Sequence, residues 1–205
     1  MELDELKEGW AILDRRLSAL EVSLVAGRAV SGVRSELRPL RWGQAMQAAL
    51  GAGLALAAGS FWVDHRDAAG PLVAGLLLHA YGIAMIVAAA RNLVLAARAT
   101  ETAPVLTLQK RVAELRAWRI REGYWFGVVG CFMWVPMLVW AFALLGVDIV
   151  AARPVFMGFN VLAGFVCLGG FLVLSRYIKA PEGGSVRRAG ERLEELARFT
   201  DSGPV

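Results

Sequence analysis

The sequence lacks most of what a catalytic or disulfide-bonded soluble protein needs. It holds two cysteines, Cys131 and Cys167, and both fall inside long apolar runs, where a thiol behaves as a small apolar side chain. No disulfide framework is implied. The charged segments carry no strand pattern and no glycine-rich phosphate loop, so nucleotide-dependent chemistry has no scaffold. Paired carboxylates, a supported Ser/His or Cys/His dyad and a credible metal motif are also missing. We therefore expect no enzyme, no cofactor, and no catalytic or metal-ligating residues. The first forty residues lack the short apolar core and small-residue cleavage site of a secretory signal, which leaves the first apolar run as an uncleaved insertion signal.

Apolar residues make up 57% of the 205 and charged residues 20%, a mixture that is coherent only if the two kinds are segregated along the chain. Four apolar runs, Trp42 to Val63, Pro71 to Ala97, Tyr124 to Val147 and Pro154 to Ser175, each exceed the roughly 20 residues a helix needs to cross about 30 Å of hydrocarbon. Trp42 and Trp62 bracket the first run and would set an indole at each water–lipid interface. Lys and Arg number seven up to Arg41, seven from Arg91 to Arg121 and six after the fourth run, against one each, Arg66 and Arg153, in the two other connections. That bias places the N-terminus, the middle connection and the C-terminus in the cytoplasm. It also makes the net charge of +4 a topology signal, so no nucleic-acid partner is read from it. Arg34, Arg38, Arg41, Arg116, Arg119, Arg121, Arg176 and Lys179 would lie near anionic headgroups, each attraction worth about 1 kcal/mol.

The expected fold is an all-α membrane protein, with four transmembrane helices as two hairpins, an N-terminal cytoplasmic heptad helix and shorter cytoplasmic amphipathic helices. Its segments are a cytoplasmic helix at 1–38, a first hairpin at 39–98, a cytoplasmic amphipathic helix at 99–123, a second hairpin at 124–178, and a linker, short helix and tail at 179–205. Pro39 should end the first helix, and Pro104 should open the middle one, which can run on into the third span. Pro136 should kink that span. Pro181, Gly183 and Gly184 mark a flexible break, Ser185 suits an N-cap, and the tail from Asp201 is expected to be disordered. A shift of 78 residues aligns Glu36-Leu37-Arg38 with Glu114-Leu115-Arg116 and Trp62 with Trp140. The architecture repeats, though the matches demonstrate no duplication.

Leu3, Leu6, Trp10, Leu13, Leu17, Leu20 and Leu24 alternate steps of three and four, an a/d seam over more than three heptads. In a parallel pair, Glu2 would face Lys7 and Arg16 would face Glu21 across that seam. Two related stripes, Val105/Leu108/Val112/Leu115 and Val186/Ala189/Leu193/Leu196, offer the alternative of one bundle within the chain. The expected partners are therefore the lipid bilayer and either a second copy or another helical cytoplasmic protein.

Inside the spans, polar residues stand out. His79 and Asn160 lie at similar depth and suit a clasp between helices; Gln44, Gln47, Arg91 and Asn92 would share a layer nearer the cytoplasm. Gly51 with Ala55, and Ala55 with Gly59, allow close helix contact. Asp64, His65 and Asp67 read as a solvated turn.

The opening Met1-Glu2-Leu3-Asp4-Glu5-Leu6-Lys7, with Trp10 and Leu13-Asp14-Arg15-Arg16-Leu17, resembles uncharacterised bacterial membrane proteins often encoded beside extracytoplasmic-function sigma factors. The resemblance covers the first forty residues and the four-span layout. It implies a bacterial inner-membrane protein acting in envelope-stress signalling, and it transfers no active-site residues. Nineteen Arg against three Lys suits a GC-rich genome. The functional expectation is a non-enzymatic membrane scaffold or regulator, with an oligomeric channel or small-solute transporter as the alternative.

Overall fold

A computed structural model describes residues 2–101, 103–177 and 184–201. Among these residues the regular structure is entirely helical: α1 (Glu2–Glu36), α2 (Arg38–Asp64), α3 (Ala69–Arg98), α4 (Val105–Leu144), α5 (Ile149–Ala152), α6 (Pro154–Tyr177) and α7 (Gly184–Asp201). Four stretches, Arg38–Asp64, Ala69–Arg98, Leu106–Leu144 and Pro154–Arg176, are long and apolar enough to cross a membrane. A helix satisfies its backbone groups within its own segment, the condition for such a stretch to leave water. These four mark a multi-pass membrane protein.

The junction between α1 and α2 falls at Leu37, ahead of Pro39. Leu37 keeps helical dihedrals, and the bonds from Leu37 N to Val33 O and from Arg41 N to Leu37 O, both 3.0 Å, carry the ladder across it. Pro39 falls in the first turn of α2, where an amide would lack an intrahelical partner in any case. Pro104 is the residue just before α4, and α4 then runs for 40 residues through Pro136 without a stop. Helix α7 starts at Gly184, which puts Ser185 inside it. The predicted break at Pro181 and Gly183 and the tail beyond Asp201 lie outside the described residues.

The long helices form a row. Helix α2 packs along α3, α3 along α4, and α4 against α6, while α2 and α6 make no comparable contact that would close a ring. The backbones of α2 and α3 come into close contact at Gly51 and Gly82. A Cβ on Gly82 would lie 2.7 Å from Gly51 O and 2.8 Å from Ala55 N, so only hydrogen fits there. Between α4 and α6, aromatic rings fill the gaps that glycines leave: Phe171 lies over Gly127, and Phe132 over Gly164.

At one end of the row sits a second core, the head. Val30, Val33 and Leu37 of α1 and its junction meet Leu108, Val112 and Leu115 of α4, Val186, Ala189 and Leu193 of α7, and the adjoining ends of α2 and α3. Glu36 ties α7 down through Arg188 at 2.9 Å and Arg192 at 3.3 Å. At the opposite end, Gly146 turns the chain with φ +77°, and Asp148 caps α5 by accepting from Val150 N and Ala151 N. Ile149 then seats against Ala74, Val139 and Met157.

Because the Gly51/Gly82 contact leaves no room for a side chain, Gly82→Leu should destabilise the protein by about 1–3 kcal/mol through overpacking. Gly53, on the same helix as Gly51, has nothing within 4 Å of a Cβ, so Gly53→Leu should be tolerated. Thermal unfolding in detergent, followed by circular dichroism, compares the two.

Candidate functional site

Where the head meets the apolar row, the inward faces of α2, α3 and α4 turn polar. Gln44 continues the buried stripe of Leu40, Gly51 and Ala55 on α2. Asn92 continues that of Ala88, Ala89, Leu95 and Ala96 on α3. Glu122 falls on the stripe that Leu108, Val112 and Leu115 begin on α4, because steps of three and four return to one face of a helix. The three side chains meet: Asn92 Nδ2 donates to Gln44 Oε1 at 3.0 Å and to Glu122 Oε2 at 2.6 Å.

Glu122 is the centre of this cluster and is only 7% exposed. Besides Asn92, its carboxylate receives Gln47 Nε2 on Oε1 and the Arg119 guanidinium on Oε2, both at 3.4 Å, the outer limit of a hydrogen bond. Asn92 Oδ1, Arg119 Nε and Trp118 Nε1 are buried with no hydrogen-bond partner. An isolated carboxylate costs several kcal/mol to take out of water, so its donors define where it can sit. The cluster is thus a compact polar centre joining three helices, with hydrogen-bonding capacity to spare.

Glu122 is absent from the predicted polar layer, while Gln44, Gln47 and Asn92 of that layer come together. Arg91 does not join them. One residue before Asn92, it is turned by about 100° around the helix and lies over the Trp118 ring, 3.8 Å from the centroid. His79 and Asn160 form no clasp. His79 Nδ1 is 2.7 Å from Ala55 O, and Asn160 Nδ2 donates to Phe156 O of its own helix at 2.8 Å. In the row α4 packs between α3 and α6. His65, in the turn after α2, has Nδ1 2.9 Å from Phe61 O.

The heptad seam is a second candidate surface. Trp10, Leu13, Leu17 and Leu24 are 69%, 55%, 58% and 62% exposed, and Leu20 is similarly exposed. The side chains of Leu3 and Leu6 lie outside the described residues. The part of α1 that packs within the chain comes after the seam, at Val30 and Val33.

No family model matches the sequence, and neither a curated protein nor a solved structure is significantly similar to it.

Replacing Asn92 with Leu removes the shortest donor to a buried carboxylate and should cost about 2 kcal/mol of stability. Adding Glu122→Leu removes the charge that was left unpaired, so the double variant should lose clearly less than the two single losses added together. Thermal unfolding of all four proteins gives the coupling; strict additivity would separate the two side chains energetically.

Proposed function

We propose that this chain is a non-enzymatic scaffold or regulatory protein of the bacterial inner membrane that pairs with a second copy through α1. Both termini lie in the cytoplasm, following the basic residues at the head end, and the head is a cytoplasmic helical bundle. The observation that carries the reading is the exposed seam of Trp10, Leu13, Leu17 and Leu24. The α4 and α7 stripes that would compete for it are already buried against Val30, Val33 and Leu37. Each leucine removed from water on pairing contributes about 1.5–3 kcal/mol. The charge pattern permits a like partner in parallel, because in that register Glu2 would face Lys7 and Arg16 would face Glu21.

The alternative, an oligomeric channel or small-solute transporter, draws on the polar centre at Glu122. Among the described residues the helices pack as an open row, so a pore would be closed by several copies. Flux through reconstituted vesicles that ignored substitutions at Glu122, Asn92 and His79 would argue against transport.

Leu13→Lys combined with Leu17→Lys places charge in the seam without touching the head core. Absolute protein mass in detergent and in nanodiscs should fall from a defined oligomer to one chain, with the spans still inserted. An unchanged mass would sink the proposal.

A further inference from the structure

The polar centre opens on one side into a groove of about 460 Å³ between α2 and α4, floored by α3. Its head is formed by Gln47, Arg119 and Glu122, and its body by Met46, Leu50, Met85, Phe126 and Tyr81, whose ring meets that of Phe126. Met46 and Leu50 are more than half exposed, so the apolar wall is open on the outer side of the row. Trp42, one residue before the groove's Gly43, is also exposed and marks the level at which an indole meets a membrane surface. The groove therefore has a charged end at interface depth and an apolar end pointing into hydrocarbon.

The charged end is incompletely satisfied in two opposite senses. A carboxylate offers about four lone-pair sites, and Glu122 has one short donor, from Asn92, with two contacts at 3.4 Å. Beside it, the Arg119 guanidinium lines the groove with its buried Nε donating to nothing. A purely anionic ligand would satisfy Arg119 and be repelled by Glu122; a purely cationic one would meet the reverse. A head that carries both an N–H-rich cation and an anion, joined to an apolar body, complements the whole groove.

We propose that the groove binds phosphatidylethanolamine, its ammonium donating to Glu122 and its phosphate accepting from Arg119, with the acyl chains along Leu50 and Phe126. This site is independent of pairing through α1. Phosphatidylcholine provides the discriminating comparison, because its quaternary ammonium has the same charge and no N–H to donate. A charge-assisted hydrogen bond to Glu122 should make the preference for ethanolamine over choline headgroups about tenfold.

The test uses the purified full chain, with retained lipid counted by native mass spectrometry after exposure to phosphatidylethanolamine or phosphatidylcholine of identical acyl chains. Wild type should retain the ethanolamine lipid preferentially, and Glu122→Gln should erase the preference. Leu50→Trp, on the exposed wall, should lower retention of both lipids without disturbing the fold, which guards against a folding defect in the Glu122 variant. Equal retention of the two lipids by wild type overturns the proposal. Competition by soluble phosphoethanolamine as strong as by the lipid would assign the site to a free metabolite and overturn the lipid reading. A dimer that Leu50→Trp dissolves while lipid retention stays constant would give the groove to a second copy instead. Loss of pairing in the Leu13/Leu17 variant with the lipid preference intact would separate this site from the seam.

Discussion

A carboxylate buried at the edge of an apolar layer must bring its donors with it, and that requirement organises this protein. Desolvating Glu122 costs several kcal/mol, while a hydrogen bond to a charged group returns about 1.5–3. One donor does not offset the cost, and the chain supplies donors from separate elements: Asn92 from α3, Gln47 from α2 and Arg119 from one turn earlier on α4. Three helices are thereby fixed in register at one level. Above that level lies the head core of Leu108, Leu115, Val186 and Leu193; below it, close packing and the contact of His79 Nδ1 with Ala55 O hold the row.

Different rules govern the two sides. In water the head is held by burial of aliphatic side chains and by Glu36 against two arginines of α7. In lipid there is no gain from hiding leucine from leucine-like tails, so helices associate through shape. Hydrogen-sized gaps at Gly51 and Gly82 bring α2 and α3 together, and rings set over Gly127 and Gly164 join α4 to α6. The large exposed side chains of α6, such as Val155, Phe159, Val166 and Val173, suit direct contact with acyl chains.

The four spans were legible because length and hydropathy are one-dimensional properties: the run expected at 71–97 lies within Ala69–Arg98, and that at 154–175 within Pro154–Tyr177. The division at 123/124 was a change of solvent, and nothing between Thr107 and Tyr124 stops a helix, so one 40-residue element covers both sides. Gln44 and Asn92 stood out as polar residues among apolar ones. Glu122 did not, since it sits among Arg116, Arg119 and Arg121, where charge is ordinary. The usable signal was its place on the buried stripe of α4, reached by stepping three or four residues from Leu115. His79 and Asn160 show the converse limit, for a sequence gives depth along each helix and leaves the order of helices in the row open.

Helix α4 extends about 60 Å from the core of the head to the far turn at Gly146 and contains Pro136. It is a spine shared by both ends of the molecule. Its upper third supplies Leu108, Val112 and Leu115 to the head, and its lower two thirds carry α6 on one flank and α3 on the other. A single helix thus puts its Leu108/Val112/Leu115 face in the head core and its lower part against the neighbouring spans, so neither end can be repacked without the other helix faces being set by the same element.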